Sequence, residues 1–210
     1  MRNKIGVLDL QGGVLEHLTH LEALGLEPVR VKNTADLDHL AGLILPGGES
    51  TCLSRLLSIF ELDVAIIKAF NDGMMIWGTC AGAILIAKEI EHEKPHLALM
   101  DITVNRNAFG SQIDSFHETA VIPSVSETPL ELTFIRAPQI VKIGPGVQAL
   151  HTTNNAITAA ESDRCLATSF HPELSESTAF HKYFALKCGL DISSDNATVA
   201  STAWTHLRQQ

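Results

Sequence analysis

A cysteine flanked by small residues is the first candidate for chemistry in this chain. Residues 78–82 read Gly-Thr-Cys-Ala-Gly and follow an apolar run, which is the G-x-C-x-G form of a nucleophile elbow. A sharp strand-to-helix turn strains its central residue, and small neighbours avoid a clash with the next turn. A helix N-terminus would favour the thiolate of Cys80, and the Ala81 N–H could donate to an oxyanion. A cysteine packed in a tight turn is the alternative, which we keep for Cys52, Cys165 and Cys188.

The segment Ser-Phe-His-Pro-Glu at residues 169–173 offers a base and an orienting carboxylate. His171 and Glu173 are two residues apart, so in extended geometry their side chains point to one side. A thiol nucleophile needs a neutral imidazole to take its proton, and a carboxylate can fix the tautomer of that imidazole. A lone histidine is more often structural or exposed, and the chain has 10 of them. We therefore expect an exposed helix face for His17 and His20, and surface or structural roles for His117, His151 and His181.

A glycine pair in residues 46–50, Pro-Gly-Gly-Glu-Ser, follows a third apolar run. Glycines let backbone N–H groups turn toward a ligand, so this loop could supply the second half of an oxyanion hole. The alternative is a tight loop with Ser50 as a helix N-cap. A phosphate-binding P-loop is excluded because no Gly-Lys-Ser/Thr follows.

Short apolar runs and helical patterns alternate in the first half of the chain. This alternation predicts right-handed βαβ units, a mainly parallel sheet and helices on both faces. Ligands bind at the carboxyl ends of strands in such sheets, which is where all three motifs fall. The predicted strands cover residues 5–10, 28–31, 42–46 and 74–78, and the predicted helices cover residues 14–24, 51–71 (broken near 60–63) and 81–88.

The second half is richer in predicted strands and ends in a polar tail. The strands cover residues 99–104, 119–122, 133–135, 140–143, 156–161 and 165–170, and a last helix covers residues 175–188. We expect one domain at residues 1–190. Residues 191–210 are rich in serine and threonine, and we expect a partly disordered tail there.

Composition and charge exclude several classes of function. With 15 basic and 24 acidic residues the net charge is −9, which disfavours nucleic acid as a partner. The longest uncharged apolar stretch, residues 73–87, is shorter than the roughly 20 residues of a membrane-spanning helix. Four cysteines without a CxxC pair argue against a disulfide framework or a zinc site and favour a cytoplasmic protein without a metal.

Taken in order, the three motifs resemble the class I, triad-type glutamine amidotransferases. The match extends to the glutaminase subunits of pyridoxal 5′-phosphate synthase through residues 8–17, 45–51, 78–90, 105–116, 134–138 and 169–174. The most specific parts are Arg-Asn-Ala-Phe-Gly-Ser-Gln-x-Asp-Ser-Phe and Phe-Ile-Arg-Ala-Pro, because generic amidotransferase domains share the triad but lack these two segments. The resemblance implies a flavodoxin-like fold and hydrolysis of L-glutamine through a thioester.

The resemblance also implies a role for individual residues. Cys80 would be the nucleophile, His171 the general base and acid, and Glu173 the orienter, with an oxyanion hole at Gly48 and Ala81. Gln11 would lie near the interface and help to set the oxyanion loop once the synthase docks. The glutamine site would comprise Gly47, Gly48, Glu49, Arg106, Ile135 and Arg136.

The partner implied by the resemblance is a synthase subunit that uses the ammonia to make pyridoxal 5′-phosphate, with no cofactor in the glutaminase itself. The family's assembly has a dodecameric synthase core with glutaminase subunits around it. One departure is Asp9, where the family has a small residue. Three alternatives stay open: a glutaminase for another synthase, a cysteine hydrolase of a related α/β family, and a regulatory subunit without activity.

Overall fold

The computed structural model describes residues 2–106 and 115–192. A mixed β-sheet lies at its centre. Its strands are β1 (Lys4–Leu8), β2 (Val29–Val31), β3 (Leu40–Leu45), β4 (Met75–Thr79), β5 (Ala87–Ile90), β6 (Met100–Asn105), β9 (Gln139–Ile143), β10 (Gln148–Thr153), β11 (Ala156–Glu161) and β12 (Cys165–Thr168). Strands β7 (Phe116–Ile122) and β8 (Ser126–Phe134) form a separate antiparallel pair. The helices are α1 (Val14–Ala23), α2 (Ser50–Ile59), α3 (Leu62–Asn71), α4 (Ala81–Ile86) and α5 (Ala179–Lys187).

The parallel half of the sheet sets the geometry of the candidate site. Strands β2, β1, β3, β4 and β12 lie side by side in that order, each parallel to its neighbours. In this register Leu45 of β3 faces Gly78 of β4, and Thr79 of β4 faces Thr168 of β12. The three motifs follow β3, β4 and β12, so they emerge at one edge of the sheet, as the sequence predicts.

Strands from the second half of the chain complete the sheet, mostly in the antiparallel sense. Strand β11 pairs antiparallel with β12, β9 and β10, and β9 pairs antiparallel with β6. The predicted α/β architecture is confirmed, with a mixed rather than parallel distal half.

Helices pack against apolar residues on both faces of the sheet. All six residues of β3 are buried, as expected for a strand covered on both sides. One core cluster contains Leu53 and Leu57 of α2 with Ile66 of α3, and the other contains Leu21 of α1 with Phe184 of α5. Helices therefore cover both faces, as predicted.

Several predicted boundaries differ from the structure. The break near residues 60–63 is confirmed, because α2 and α3 are separated by Glu61 in a left-handed conformation with φ 56°. Helix α4 ends at Ile86 rather than residue 88, and the chain continues directly as β5, which the sequence analysis missed together with β10. No helix of the described residues has the length and apolar character needed to cross a membrane.

The expectation that His17 and His20 lie on an exposed helix face is wrong. Their exposed fractions are 0% and 1%, and His181 of α5 is also fully buried. Helix α1 packs against α5, so the face that carries these polar rings points inward. The ring centroids of His20 and His181 are 4.4 Å apart.

Candidate active site

Cys80 occupies a strained turn between β4 and α4. Its φ of 47° and ψ of −105° are unusual for a residue with a side chain, and such conformations cost on the order of 1–3 kcal/mol. The Cys80 N–H donates to the Thr168 carbonyl over 2.8 Å, which ties the turn to the end of β12. The elbow predicted from the sequence is therefore present in the structure.

Two glycines allow this turn to pack against the neighbouring strand. A methyl group on Gly82 would overlap the Leu45 carbonyl oxygen of β3, and one on Gly78 would overlap Gly82. Backbone atoms cannot move aside as a flexible side chain can. The small residues around Cys80 thus serve close packing of β3, β4 and α4.

His171 follows β12 and is held by backbone and side-chain contacts. Its N–H donates to the Thr133 carbonyl over 2.9 Å. Its Nδ1 lies 2.8 Å from Glu173 Oε1, and the nearby Cys80 thiol lies 4.0 Å from the Ile135 carbonyl oxygen. Residues Pro172–Leu174 form a 3₁₀ turn, so this turn, rather than the extended geometry we expected, brings the carboxylate to the ring.

Burial and charge set the protonation states of this group. Burial lowers the pKa of His171, but the Glu173 carboxylate and the contact with Cys80 outweigh it, so the pKa lies well above its usual value. Burial raises the pKa of Glu173, but the His17 and His171 rings lower it further, to about 2. Glu173 is therefore ionised at neutral pH, and His171 readily holds a proton.

The glycine loop after β3 lies directly against the His171 ring. A methyl group on Gly47 would overlap Cε1 of His171 and lie 3.4 Å from the Cβ of Cys80. Gln11 Oε1 accepts a hydrogen bond from the Glu49 N–H over 3.2 Å. The loop is thus packed between the predicted base and the loop that carries Gln11.

Helix α2 begins at Ser50, so the alternative interpretation of Ser50 as an N-cap is wrong. The N-cap position is Glu49, whose side chain makes no capping hydrogen bond. The Ser50 hydroxyl is buried, and within the described residues it has no hydrogen-bond partner.

A cavity of about 770 Å³ joins these elements. Every site residue predicted from the sequence lines it: Gln11, Gly47, Gly48, Glu49, Cys80, Ala81, Arg106, Ile135, Arg136, His171 and Glu173. The sequence analysis did not assign the other lining residues to the site: Gly12, Gly13, Glu16, Ser50, Ile84 and Leu174. Glu16 could have been found, because it lies in the first turn of a helix that follows a strand end.

The two candidate carboxylate-binding arginines differ in their contacts. Arg136 has a largely exposed side chain, and its Nη2 lies 3.5 Å from Glu49 Oε1. Arg106 is less exposed, and its Nη1 donates to both oxygens of Glu93 over 2.8 and 2.7 Å. The ion pair of Arg106 with Glu93 is therefore shorter and less exposed than that of Arg136 with Glu49. Most of the specific motif at residues 105–116 lies outside the described residues, which omit 107–114.

The three other cysteines lie away from the cavity. Burial raises the pKa of Cys165 to about 11 and that of Cys188 to about 12, so both are poor nucleophiles at neutral pH. Cys52 is exposed on α2. The expected buried position is confirmed for Cys165, whereas for the exposed Cys52 it is wrong.

The unusual Asp9 forms ion pairs on the rim of the sheet. Its Oδ2 accepts a hydrogen bond from Arg30 Nε over 2.6 Å and lies 3.4 Å from Lys32 Nζ. Both partners belong to or directly follow β2. Asp9 therefore contacts its own subunit rather than the cavity.

Comparison with known proteins identifies close relatives. A model of the SNO glutamine amidotransferase family matches residues 7–190. A pyridoxal 5′-phosphate synthase subunit PdxT from Syntrophus aciditrophicus (strain SB) is 54% identical over 212 residues, covering 98% of this chain and 95% of that protein. The PdxT subunit of Oenococcus oeni (strain ATCC BAA-331 / PSU-1) is 53% identical over 185 residues, covering 88% of this chain and 96% of that protein.

Solved structures agree with these sequence relatives. A crystal structure described as a glutamine amidotransferase is 38% identical, with a TM-score of 0.83, and covers 89% of this chain and 99% of that one. The PurLQS structure from Thermotoga maritima has a TM-score of 0.62 at 18% identity, a likeness of fold alone. The similarity to the Syntrophus protein also extends into the polar tail, because it covers 98% of this chain.

Proposed function

The chain belongs to the SNO glutamine amidotransferase family and is a glutaminase subunit of pyridoxal 5′-phosphate synthase, and we propose that Cys80, His171 and Glu173 carry its reaction. The observation that supports this assignment is the cavity in which all three side chains meet. His171 Nδ1 hydrogen-bonds to Glu173, and Cys80 contributes to the raised pKa of His171.

In the first step, His171 holds the proton that Cys80 has given up, as the raised pKa of the ring favours, and the Cys80 thiolate attacks the side-chain amide carbon of L-glutamine. A carbon–sulfur bond forms, and the amide oxygen becomes an oxyanion. Ala81 follows the nucleophile directly, so its N–H is the expected donor to that oxyanion, together with the N–H of Gly48. Glu173 remains ionised and stabilises the imidazolium.

In the second step, the carbon–nitrogen bond breaks, and His171 gives its proton to the departing ammonia. Water then attacks the thioester with His171 as base, which releases glutamate and restores the thiol. Glu173 and Cys80 raise the pKa of His171 more than burial lowers it, so the ring keeps its proton until the ammonia departs.

The remaining lining residues hold the amino-acid end of glutamine. We assign the α-carboxylate to Arg136, because a guanidinium is the preferred partner of a carboxylate and this one is accessible from the cavity. Arg106 would serve the same end once it shares its donors with Glu93. Gly47, Gly48, Glu49 and Ile135 complete this part of the site.

The chain pairs with a synthase subunit, and we infer that this assembly is a dodecameric synthase core with glutaminase subunits around it. Gln11 would couple docking to catalysis, since its side chain already bonds to the backbone of the glycine loop at Glu49. We place the domain at residues 1–190, where the family match ends. The free cysteines favour a cytoplasmic setting, and the tail at 193–210 lies outside the described residues.

Ammonia release from L-glutamine, measured with and without a pyridoxal 5′-phosphate synthase subunit, tests the proposal. Cys80→Ala should abolish release and leave the melting temperature and synthase binding nearly unchanged. Cys52→Ala is the matched control, because Cys52 is exposed and outside the cavity, and it should retain full activity. Turnover by Cys80→Ala would remove Cys80 from the mechanism, and an inactive wild-type complex would favour a regulatory subunit.

A further inference from the structure

Three buried histidines lie directly behind the proposed triad. His17 and His20 come from α1 and His181 from α5, and their exposed fractions are 0%, 1% and 0%. Burying an imidazole costs free energy unless its nitrogens are hydrogen-bonded, so the partners of these three rings are informative. None of them lines the cavity, and the proposed reaction uses none of them.

His17 is the member of this cluster that reaches the triad. Its Nε2 lies 3.4 Å from Glu173 Oε2, while Glu173 Oε1 lies 2.8 Å from His171 Nδ1. Glu173 is 1% exposed, and within the described residues no hydrogen bond reaches its Oε2. The second oxygen of the orienting carboxylate therefore faces a buried imidazole nitrogen.

The same nitrogen also contacts the strand that carries the nucleophile. His17 Nε2 lies 3.4 Å from the hydroxyl oxygen of Thr79, the residue before Cys80. Its ring packs edge-on against Trp77 of β4, with centroids 5.6 Å apart. One ring thus touches both the orienter and the end of β4.

The contact of His17 with Glu173 favours one of the two neutral tautomers. An ionised carboxylate is an acceptor only, so a favourable contact places the ring hydrogen of His17 on Nε2. Its Nδ1 is then an acceptor for His181 Nε2–H, 2.8 Å away. His181 Nδ1 is left as a lone pair, which agrees with its lack of a hydrogen-bond partner in the described residues.

Protonation states agree with this direction. Burial lowers the pKa of His17 to about 4, although Glu173 raises it, so the ring is neutral at pH 7 and carries one N–H. Burial also lowers the pKa of His181 well below its usual value. A neutral ring supplies a fixed dipole to Glu173 without neutralising the charge that stabilises the His171 imidazolium.

We propose that His17 is a positioning residue of the glutaminase site, whose Nε2–H holds the second oxygen of Glu173 and so fixes the carboxylate plane against His171. This inference rests on the proposed triad. A carboxylate held by a single hydrogen bond can rotate about its terminal torsion, and that rotation would misdirect the His171 ring. The 3.4 Å contact is expected to shorten in the substrate complex, as catalytic hydrogen bonds do.

Two isosteric substitutions separate positioning from packing. His17→Gln places an amide N–H where Nε2 lies, whereas His17→Asn places it nearer to Nδ1 and leaves Glu173 Oε2 without a donor. His20→Asn is the matched control, because His20 is equally buried on the same helix and its nitrogens contact the carbonyls of Glu16 and Ser175.

Steady-state glutaminase kinetics of the assembled complex provide the first readout. We expect kcat to fall about tenfold for His17→Asn, equal to about 1.4 kcal/mol in the barrier, with KM within twofold of wild type. His17→Gln should keep kcat within threefold, and His20→Asn should keep it unchanged. Equal kcat for His17→Asn and His17→Gln would overturn the positioning role while leaving the triad intact.

The tautomer of His17 provides a second readout that needs no folded variant at position 17. Imidazole ¹⁵N shifts and couplings of the wild-type chain should show a neutral ring protonated at Nε2. A ring protonated at Nδ1 would overturn the proposal directly. A wild-type complex without glutaminase activity would instead overturn the proposed function, and the positioning role with it.

Discussion

Replacing Gly47 by alanine tests whether the glycine loop sets the position of His171, the proposed base. The added methyl would overlap Cε1 of His171, lie 3.0 Å from its Nδ1 and lie 3.4 Å from the Cβ of Cys80. The His171 backbone is held by Thr133 and its ring by Glu173, so the ring cannot swing away without losing a hydrogen bond. Either the ring or the loop must move.

The size of that movement gives the expected loss. Two carbon atoms need about 3.5 Å or more between them, so relief of the overlap moves the ring or the loop by about 1 Å. A displacement of this size at a reacting group costs about 100-fold in rate, which corresponds to about 2.7 kcal/mol in the barrier. We therefore expect kcat of Gly47→Ala to fall about 100-fold.

Ammonia release at saturating glutamine in the assembled complex is the assay. Gly146→Ala is the control, because Gly146 lies outside the cavity, has a φ of 76° and has no neighbour within 4 Å of an added Cβ. It should lose some stability through backbone strain and keep its kcat. Circular dichroism and synthase binding show that Gly47→Ala remains folded.

One result would refute this reasoning. If Gly47→Ala is folded, binds the synthase and retains kcat within threefold of wild type, the loop does not determine the position of His171. The tight packing of Gly47 against the ring would then be a matter of stability, and its loss would appear in the melting temperature instead.

Two further predictions concern substrate binding and acid stability. Arg136→Ala should raise KM for glutamine about tenfold, equal to about 1.4 kcal/mol of binding free energy, with kcat little changed. Arg136→Lys should recover only part of the lost affinity, because lysine lacks the planar guanidinium fork. An unchanged KM would show that Arg136 has a structural role instead. Burial lowers the pKa of His17 from 6.5 to about 4 in the folded protein. As the pH falls, the unfolded chain therefore binds a proton at this ring before the folded protein does. The free energy of unfolding should fall by about 3 kcal/mol between pH 6.5 and pH 4. The stabilisation by Glu173, whose pKa of about 2 reflects burial outweighed by the His17 and His171 rings, is lost only below about pH 4.5. Urea titrations of wild type and His17→Gln at pH 7 and 4.5 measure the difference, and parallel loss in both proteins would contradict it.

The three motifs could be found from the sequence because each depends on local chemistry. A small-residue turn around Cys80, a glycine pair after a strand and a His-Pro-Glu segment have steric and chemical reasons that are visible within a few residues. Alternating apolar runs predicted the parallel strands β1 to β4 and β12 for the same reason. The structure places all eleven predicted site residues around one cavity.

Other features depend on contacts that no short segment contains. Strand β5 follows α4 without a turn signal, because pairing with β6 decides where the helix ends. The bond from Arg106 to Glu93 joins residues 13 positions apart, and no local pattern in the sequence predicts it. The extended geometry expected for His171 and Glu173 is replaced by a 3₁₀ turn.

The amino-acid sequence by itself predicted a candidate nucleophile, base and orienter and the strands that carry them. Only the tertiary structure determined which buried residues contact these three side chains. His17 and His20 look like the polar face of a surface helix, since helical periodicity cannot tell a solvent-facing imidazole from one covered by a distant element. Helix α5, more than 150 residues later, covers that face with His181 and turns it inward. The second contact of Glu173 likewise exists only because the folded chain brings α1 against the turn at Pro172–Leu174.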